Sequence, residues 1–103
     1  MNTIKIQLDF LQGPIWTSNP ETGIEVVDND EQLRAINYEI QDLFDSYYEF
    51  DSHGQPFWFN EGRERVDKET MLSMIGKLIA RLEEINDGSF DIEDLETPRL
   101  RAL

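Results

Sequence analysis

The chain of 103 residues contains no cysteine, which excludes disulfide bonds, thiol catalysis and cysteine-bound zinc. A single histidine, His53, cannot form a histidine-based metal site within one chain. Basic residues are also scarce, because nine Lys and Arg stand against 22 Asp and Glu, giving a formal net charge of -13. This charge repels a phosphate backbone or an anionic membrane, so we expect neither as a partner.

Long apolar runs are absent as well. The N-terminal residues have no basic segment followed by an apolar run, and no stretch of the chain approaches about 18 apolar residues. We therefore expect no signal peptide and no membrane span, and we expect the protein in the cytoplasm. The hydrophobic residues, 39% of the chain, instead recur in regular patterns, which predicts one folded domain over residues 1–103.

Alternating apolar residues predict a half-buried strand over residues 3–10. Turn residues at 19–23 precede a second apolar run at 24–27, so the first 27 residues are predicted to form a hairpin. A second hairpin is predicted over residues 47–60, where aromatic residues flank a polar loop that contains His53 and Gly54. The apolar face of the first strand consists of Ile4, Ile6, Leu8 and Phe10.

Apolar residues at helical spacing predict two amphipathic helices. The first runs from about residue 29 to 46, with Asp28 as its N-cap and Glu31 three residues later. The second begins after Asp67, with Val66 and Met71 placed to form a hydrophobic staple, and Gly88 ends it. Its predicted buried stripe is Met71, Leu72, Ile75, Leu78, Ile79, Leu82 and Ile85.

A last strand is predicted at residues 89–93, followed by an irregular tail at 96–103. The order of elements is then roughly ββαββαβ. It predicts an α+β fold in which two amphipathic helices cover one face of a mainly antiparallel sheet.

The aromatic residues of the second hairpin are expected to fill the core of that sheet. Those assigned to the core are Tyr48, Phe50, Phe57 and Phe59, and those left for exposure or helix contact are Tyr47, Trp58 and Trp16.

No motif in the chain predicts catalysis. The acidic segments 28–30 and 87–91 lack the spacing of an EF-hand loop, and helix capping and turn formation account for them. There is no Gly-rich phosphate loop or nucleophile elbow, and His53 is expected to be a solvated loop residue. Paired carboxylates of the glycosidase kind stay open from sequence, but no cleft-forming insertion flanks such a pair. We therefore expect no catalytic residue, no metal and no cofactor.

The acidic residues are concentrated in two blocks. Residues 21–51 hold ten acids and one base, Arg34, residues 83–96 hold seven acids and no base, and the segment between them is nearly balanced. On a helical wheel, the first helix places Tyr38 among acids on the face opposite its apolar stripe. An aromatic ring within a rim of acids is typical of a surface that binds a basic protein, although an ordinary solvated face carrying one tyrosine gives the same pattern. The candidate partner-binding residues are Glu31, Tyr38, Asp42 and Asp45, with Glu49 and Asp51 beyond the helix.

Three segments give the chain a resemblance to a known class of proteins. They are residues 13–16 (Gly-Pro-Ile-Trp), 46–53 (Ser-Tyr-Tyr-Glu-Phe-Asp-Ser-His) and 85–90 (Ile-Asn-Asp-Gly-Ser-Phe). With them the chain resembles the small acidic immunity proteins of bacterial contact-dependent growth inhibition systems. The resemblance implies a cytoplasmic protein that binds and neutralises the C-terminal toxin domain of a cognate surface effector, often a nuclease.

The resemblance and the charge pattern favour the same function. A nuclease must be basic to hold a phosphate backbone, so an acidic inhibitor can compete for that surface. Two alternatives stay open: an acidic adaptor for another basic protein, and a small enzyme.

Overall fold

The computed structural model describes residues 2–8, 13–16, 21–52 and 55–103, and for residues 51–52 and 55–57 it describes the backbone alone. Within this part of the chain there are four strands and five helices. In chain order they are β1 (Asn2–Ile6), α1 (Glu25–Asp28), α2 (Glu31–Asp45), β2 (Tyr48–Ser52), β3 (Gln55–Phe59), α3 (Glu61–Val66), α4 (Lys68–Ile85), β4 (Phe90–Asp94) and α5 (Glu96–Arg101).

The fold mixes helices and strands, as an α+β protein does, but the described strands do not show the mainly antiparallel sheet that the sequence predicted. They form two separate two-stranded sheets. In one, β1 pairs in parallel with β4, with Ile4 opposite Ile92. In the other, β2 pairs antiparallel with β3, with Tyr48 opposite Phe59. The long helices α2 and α4 pack against each other and contribute seven of the 17 buried apolar residues of the described core.

The predicted alternation in the first strand is confirmed, because Ile4, Ile6 and Leu8 are buried while their neighbours are exposed. Phe10 lies outside the described residues. The predicted first hairpin is wrong: the run expected to form its second strand forms the short helix α1, and β1 pairs with β4 instead.

The hydrogen bonds of the Asp28 carboxylate explain why the hairpin prediction is wrong. Asp28, at the end of α1, accepts hydrogen bonds from the backbone N–H groups of Thr22 and Gly23 at 2.9 and 3.1 Å. It reaches them only because the intervening residues make a helical turn, which buries Ile24 and Val27 on one side. A short apolar run does not distinguish a strand from such a turn.

The helix α2 agrees with the prediction except at its N-terminus. It spans Glu31–Asp45, and its N-cap is Asp30, whose carboxylate accepts from the Leu33 N–H at 2.7 Å. Asp28 is therefore not the N-cap. The predicted apolar stripe faces the core, with Leu33, Ile40 and Phe44 buried.

The second hairpin is confirmed as β2 and β3, but the expected distribution of its aromatic residues is partly wrong. Phe50, which was assigned to the core, is 61% exposed. Tyr47 and Trp16 are buried in contact with Phe44 and Arg34 of α2, in agreement with the helix contact expected as one of their two environments. The Phe57 side chain lies outside the described part of the structure. Tyr48 and Phe59 do pack inward, with ring centroids 4.8 Å apart, and each also contacts Phe44 of α2. The aromatic cluster thus joins the hairpin to the C-terminal end of α2.

Before α4 the chain forms a helix that the sequence did not predict, α3, capped by the Asn60 side chain. This helix ends at Val66, which is 83% exposed, so the predicted hydrophobic staple is wrong. Asp67 precedes α4 as predicted but makes no side-chain capping bond. The predicted stripe of α4 is confirmed, since Met71, Ile75, Leu78 and Leu82 are buried and the stripe's other three members are partly buried. The helix ends at Ile85, and Gly88, with φ of 90°, lies in the turn that follows.

The predicted irregular tail is wrong as well, because it contains α5. This helix is anchored by Leu100, which is fully buried, and by an ionic network. Arg99 contacts the buried carboxylates of Glu64 and Glu96, each at 2.8 Å. Glu96 also accepts a hydrogen bond from the Leu8 N–H at 2.8 Å. Contacts distant in sequence therefore order the C-terminal segment without a local pattern that could reveal it.

Candidate protein-binding surface

The residues predicted to bind a partner lie on and beside the outer side of α2. Glu31, Tyr38, Asp42 and Asp45 are centred about 140° around the helix axis from the buried stripe. Glu31, Tyr38 and Asp42 are exposed, whereas Asp45, which we expected to be exposed, is half-buried. We call these four residues, with Glu49 and Asp51 of β2, the acidic face. The Asp51 side chain lies outside the described part of the structure.

Tyr38 is the exposed aromatic residue of this face. Its side chain is 49% exposed, and Asp42 lies one helical turn further along α2. In the described part of the chain, Glu31, Glu39 and Asp42 form no ion pair with any basic side chain. A ring beside uncompensated carboxylates can contribute apolar contact area to an interface while the carboxylates attract a cationic partner.

The only base of α2, Arg34, packs on the segment formed by residues 13–16. The Arg34 guanidinium lies 4.4 Å from the centre of the buried Trp16 ring, a cation–π distance, and its Nε donates to the Asp28 carbonyl at 2.8 Å. The Trp16 indole N–H in turn donates to the Asp28 carboxylate at 3.0 Å. Arg34 is thus part of the packing around residues 13–16 and is held beside Trp16 and Asp28.

Glu49 has a structural role as well as a charge. Its carboxylate accepts a hydrogen bond from Asn60 Nδ2 at 2.8 Å, while Asn60 Oδ1 caps α3. Replacing Glu49 would therefore disturb the junction between the hairpin and α3. Among the predicted residues, Tyr38 and Asp42 are the better positions for testing binding without altering the fold.

The two acidic blocks meet at the N-terminal end of α2, which the sequence could not show. Arg81 of α4 bridges Asp30 and Glu84, with Nη2 2.5 Å from Asp30 and Nη1 3.3 Å from Glu84. The hydrogen bond from Arg81, opposed in part by burial, holds the pKa of Asp30 below its usual value. Beside this bridge, Glu25, Asp30 and Asp87 line a cleft of about 540 Å³. The contact requires α2 and α4 to run antiparallel, a tertiary relationship with no local signal in sequence.

Several hydrogen bonds lower the pKa of Asp28. Burial alone would raise that pKa, but donors from Thr22, Trp16 and Gly23 outweigh it. The hydrogen bonds of the Asp28 carboxylate therefore hold α1 against residues 13–16. The carboxylate belongs to the scaffold that orients α2, separate from the exposed acids of the acidic face.

No group of three His, Cys, Asp or Glu side chains in the described part of the chain is arranged to hold a metal ion. His53 lies outside this part of the chain. No described helix is both long and apolar enough to cross a bilayer.

Comparison of the chain with protein-family models, with curated proteins and with solved structures gives no match. The resemblance to immunity proteins therefore stays a hypothesis, and its support comes from the residues and geometry of the chain itself.

Proposed function

We propose that this chain is an immunity protein. It acts in the cytoplasm, where it binds and neutralises a cognate toxin domain, a basic nuclease, through the acidic face. The protein itself performs no catalysis in this proposal and needs no cofactor.

The observation that carries the proposal is the exposure of Tyr38 beside Glu39 and Asp42, which form no ion pair within the described part of the chain. Burial of a half-exposed tyrosine at an interface provides contact energy, and such rings are enriched at positions that dominate binding. Without a partner, the neighbouring carboxylates repel one another, which favours association with a cationic surface.

The charge of the whole chain supports a nuclease as the partner. Ten acids and one base lie in residues 21–51, and the guanidinium of that base, Arg34, stacks on the Trp16 ring. A nuclease domain presents Lys and Arg where it holds the phosphate backbone. Its nucleic-acid-binding surface is therefore complementary to the acidic face.

Gene context identifies the toxin to test, since an immunity gene is expected directly after the gene of its toxin. The C-terminal domain encoded by that preceding gene is purified from its complex with this chain. Its nuclease activity and its affinity for this chain are then measured. We expect inhibition at equimolar ratio. The double variant Tyr38→Ala/Asp42→Lys should bind at least about 100-fold more weakly, whereas Asp91→Lys, a matched charge change in the other acidic block, should bind normally.

Two outcomes would overturn the proposal. Absence of binding to the neighbouring gene product, together with recovery of many unrelated basic proteins from lysate at low salt, would indicate the adaptor alternative. Loss of binding in Asp91→Lys with normal binding in the double variant would move the interface to residues 83–96.

A further inference from the structure

A groove of about 780 Å³ runs along α4 beside the stripe that faces the core, with the partly buried Leu72 and Ile79 at the border between them. Small and half-buried apolar residues lie along it, with Gly76 at the middle of the helix. A Cβ atom on Gly76 would have no neighbour within 4 Å, so this part of the groove is open. The α4 residues that line the groove between its two ends are Leu72, Ser73, Gly76, Ile79 and Ala80.

The two ends of the groove carry opposite charge. Lys68 Nζ donates to the Leu103 carbonyl at 3.3 Å, which places the end of α5 beside the start of α4. Arg101, in the last turn of α5, therefore lies at the same end as Lys68, and Glu69 also lines this end. The opposite end is acidic, with Glu83 in the last turn of α4, while Asp94 lines the groove just before α5.

This arrangement is self-complementary. Gly76 lies eight residues after Lys68 and seven before Glu83. A two-fold axis through Gly76 therefore places the basic end of one groove opposite the acidic end of another. We propose that the groove binds the same groove of a second copy of this chain, with the two α4 helices antiparallel.

The groove is also where two copies of so acidic a protein can approach. The chain as a whole has 22 acids and nine bases, whereas the groove is lined by two bases and three acids. Small residues at the centre allow two helix axes to come within about 8 Å of each other. An antiparallel pair also sets the positive end of each helix dipole beside the negative end of the other. In a two-fold interface each copy uses the same surface, so assembly stops at the dimer.

The dimer is independent of the acidic face. The groove is centred roughly 110° around the axis of α4 from its buried stripe, and that stripe faces the core shared with α2. No residue of the acidic face lines the groove. Both acidic faces therefore stay accessible in the dimer.

The test is the molar mass of the full chain by light scattering and sedimentation velocity at about 10 to 500 µM. We expect a concentration-dependent rise from 12.1 kDa to twice that mass. Gly76→Glu should weaken the dimer at least about tenfold, because it sets two carboxylates against each other at the axis. Glu favours a helix more than Gly does, so this variant keeps its fold by circular dichroism. Thr70→Glu adds the same charge to α4 outside the groove, and we expect it to leave the dimer unchanged.

A charge exchange tests the pairing of the ends. Arg101→Glu and Glu83→Arg should each weaken the dimer, and the double variant should restore it to within about threefold. The proposal is overturned if the wild-type chain stays monomeric over the whole concentration range, or if Gly76→Glu dimerises like wild type. A double variant no stronger than the single variants would equally overturn it.

Discussion

Gly13 lies so close to Asn37 that a Cβ atom on residue 13 would be 2.3 Å from the Asn37 Nδ2 atom. Asn37 is fully buried in α2, and its Oδ1 accepts a hydrogen bond from the Ile15 N–H at 3.0 Å. Residues 13–16 are therefore held directly on α2. This contact positions Trp16 against Arg34, the base of α2.

Replacement of Gly13 by alanine should destabilise the protein by about 1–3 kcal/mol, because the added methyl group overlaps Asn37 in a packed interior. Urea unfolding followed by circular dichroism measures the free energy of unfolding. The control is Gly62→Ala in α3, where the new Cβ would lie at an ordinary 3.5 Å from Asn60 Oδ1. We expect this control to be neutral or stabilising. Equal stability of the two variants would contradict the close packing of Gly13.

Removal of the Arg99 side chain should cost about 3–5 kcal/mol, because it leaves two buried carboxylates without a counter-charge. Glu64 and Glu96 are each 2% exposed. Their contacts, Glu64 first, raise the pKa of the Arg99 guanidinium, so it stays charged at all accessible pH values. Thermal unfolding of Arg99→Ala measures the loss. Arg65→Ala, at an exposed position of α3, should change the free energy of unfolding by no more than about 0.5 kcal/mol.

The stability of the fold should decrease in acid partly through Asp28. Hydrogen bonds lower its pKa in the folded chain despite burial, so the unfolded state binds the proton more readily. The stabilisation is therefore complete above the unfolded pKa and is lost as the pH falls from about 4 downward. Asp28→Asn should be less stable at neutral pH and should show a shallower loss below pH 4 in urea titrations. An unchanged slope would show that Asp28 does not contribute to acid unfolding.

Binding of the toxin should be sensitive to salt mainly in the association rate. An increase from about 50 to 500 mM salt should slow association at least about tenfold, because screening removes electrostatic steering. Stopped-flow fluorescence separates the two rates. We expect Asp42→Lys to slow association and Tyr38→Ala to speed dissociation while leaving the salt dependence intact. Association that is insensitive to salt would rule out steering by the acidic face.

The elements that the sequence predicts well are those with strong local signals. Long amphipathic patterns located α2 and α4, and the aromatic segments around Gly54 located the hairpin. The partner of β1 could not be predicted, since Asn2 pairs with Phe90 and no local pattern encodes such a contact. The same holds for α5, which depends on Arg99 meeting Glu64.

The exposure of Tyr38 could be predicted from helical geometry alone. The apolar stripe determines which side of α2 faces the core, and Tyr38 lies on the opposite side. The electrostatics of the surface did not follow from sequence. Asp30 and Arg81 lie 51 residues apart in the chain yet form an ion pair, so the acidic charge near the start of α2 is partly neutralised.

The parallel pairing of β1 with β4 has a consequence for synthesis of the protein. Strand β1 leaves the ribosome before its partner β4, and Ile6 can pair with Asp94 only after residue 94 has been made. The two-stranded parallel sheet therefore closes only after the helices between β1 and β4 have been made, and closure of so long a loop slows folding. Until then the apolar side chains of Ile4 and Ile6 lack their final cover, so newly made chains pass through a stage in which this segment is open to premature association.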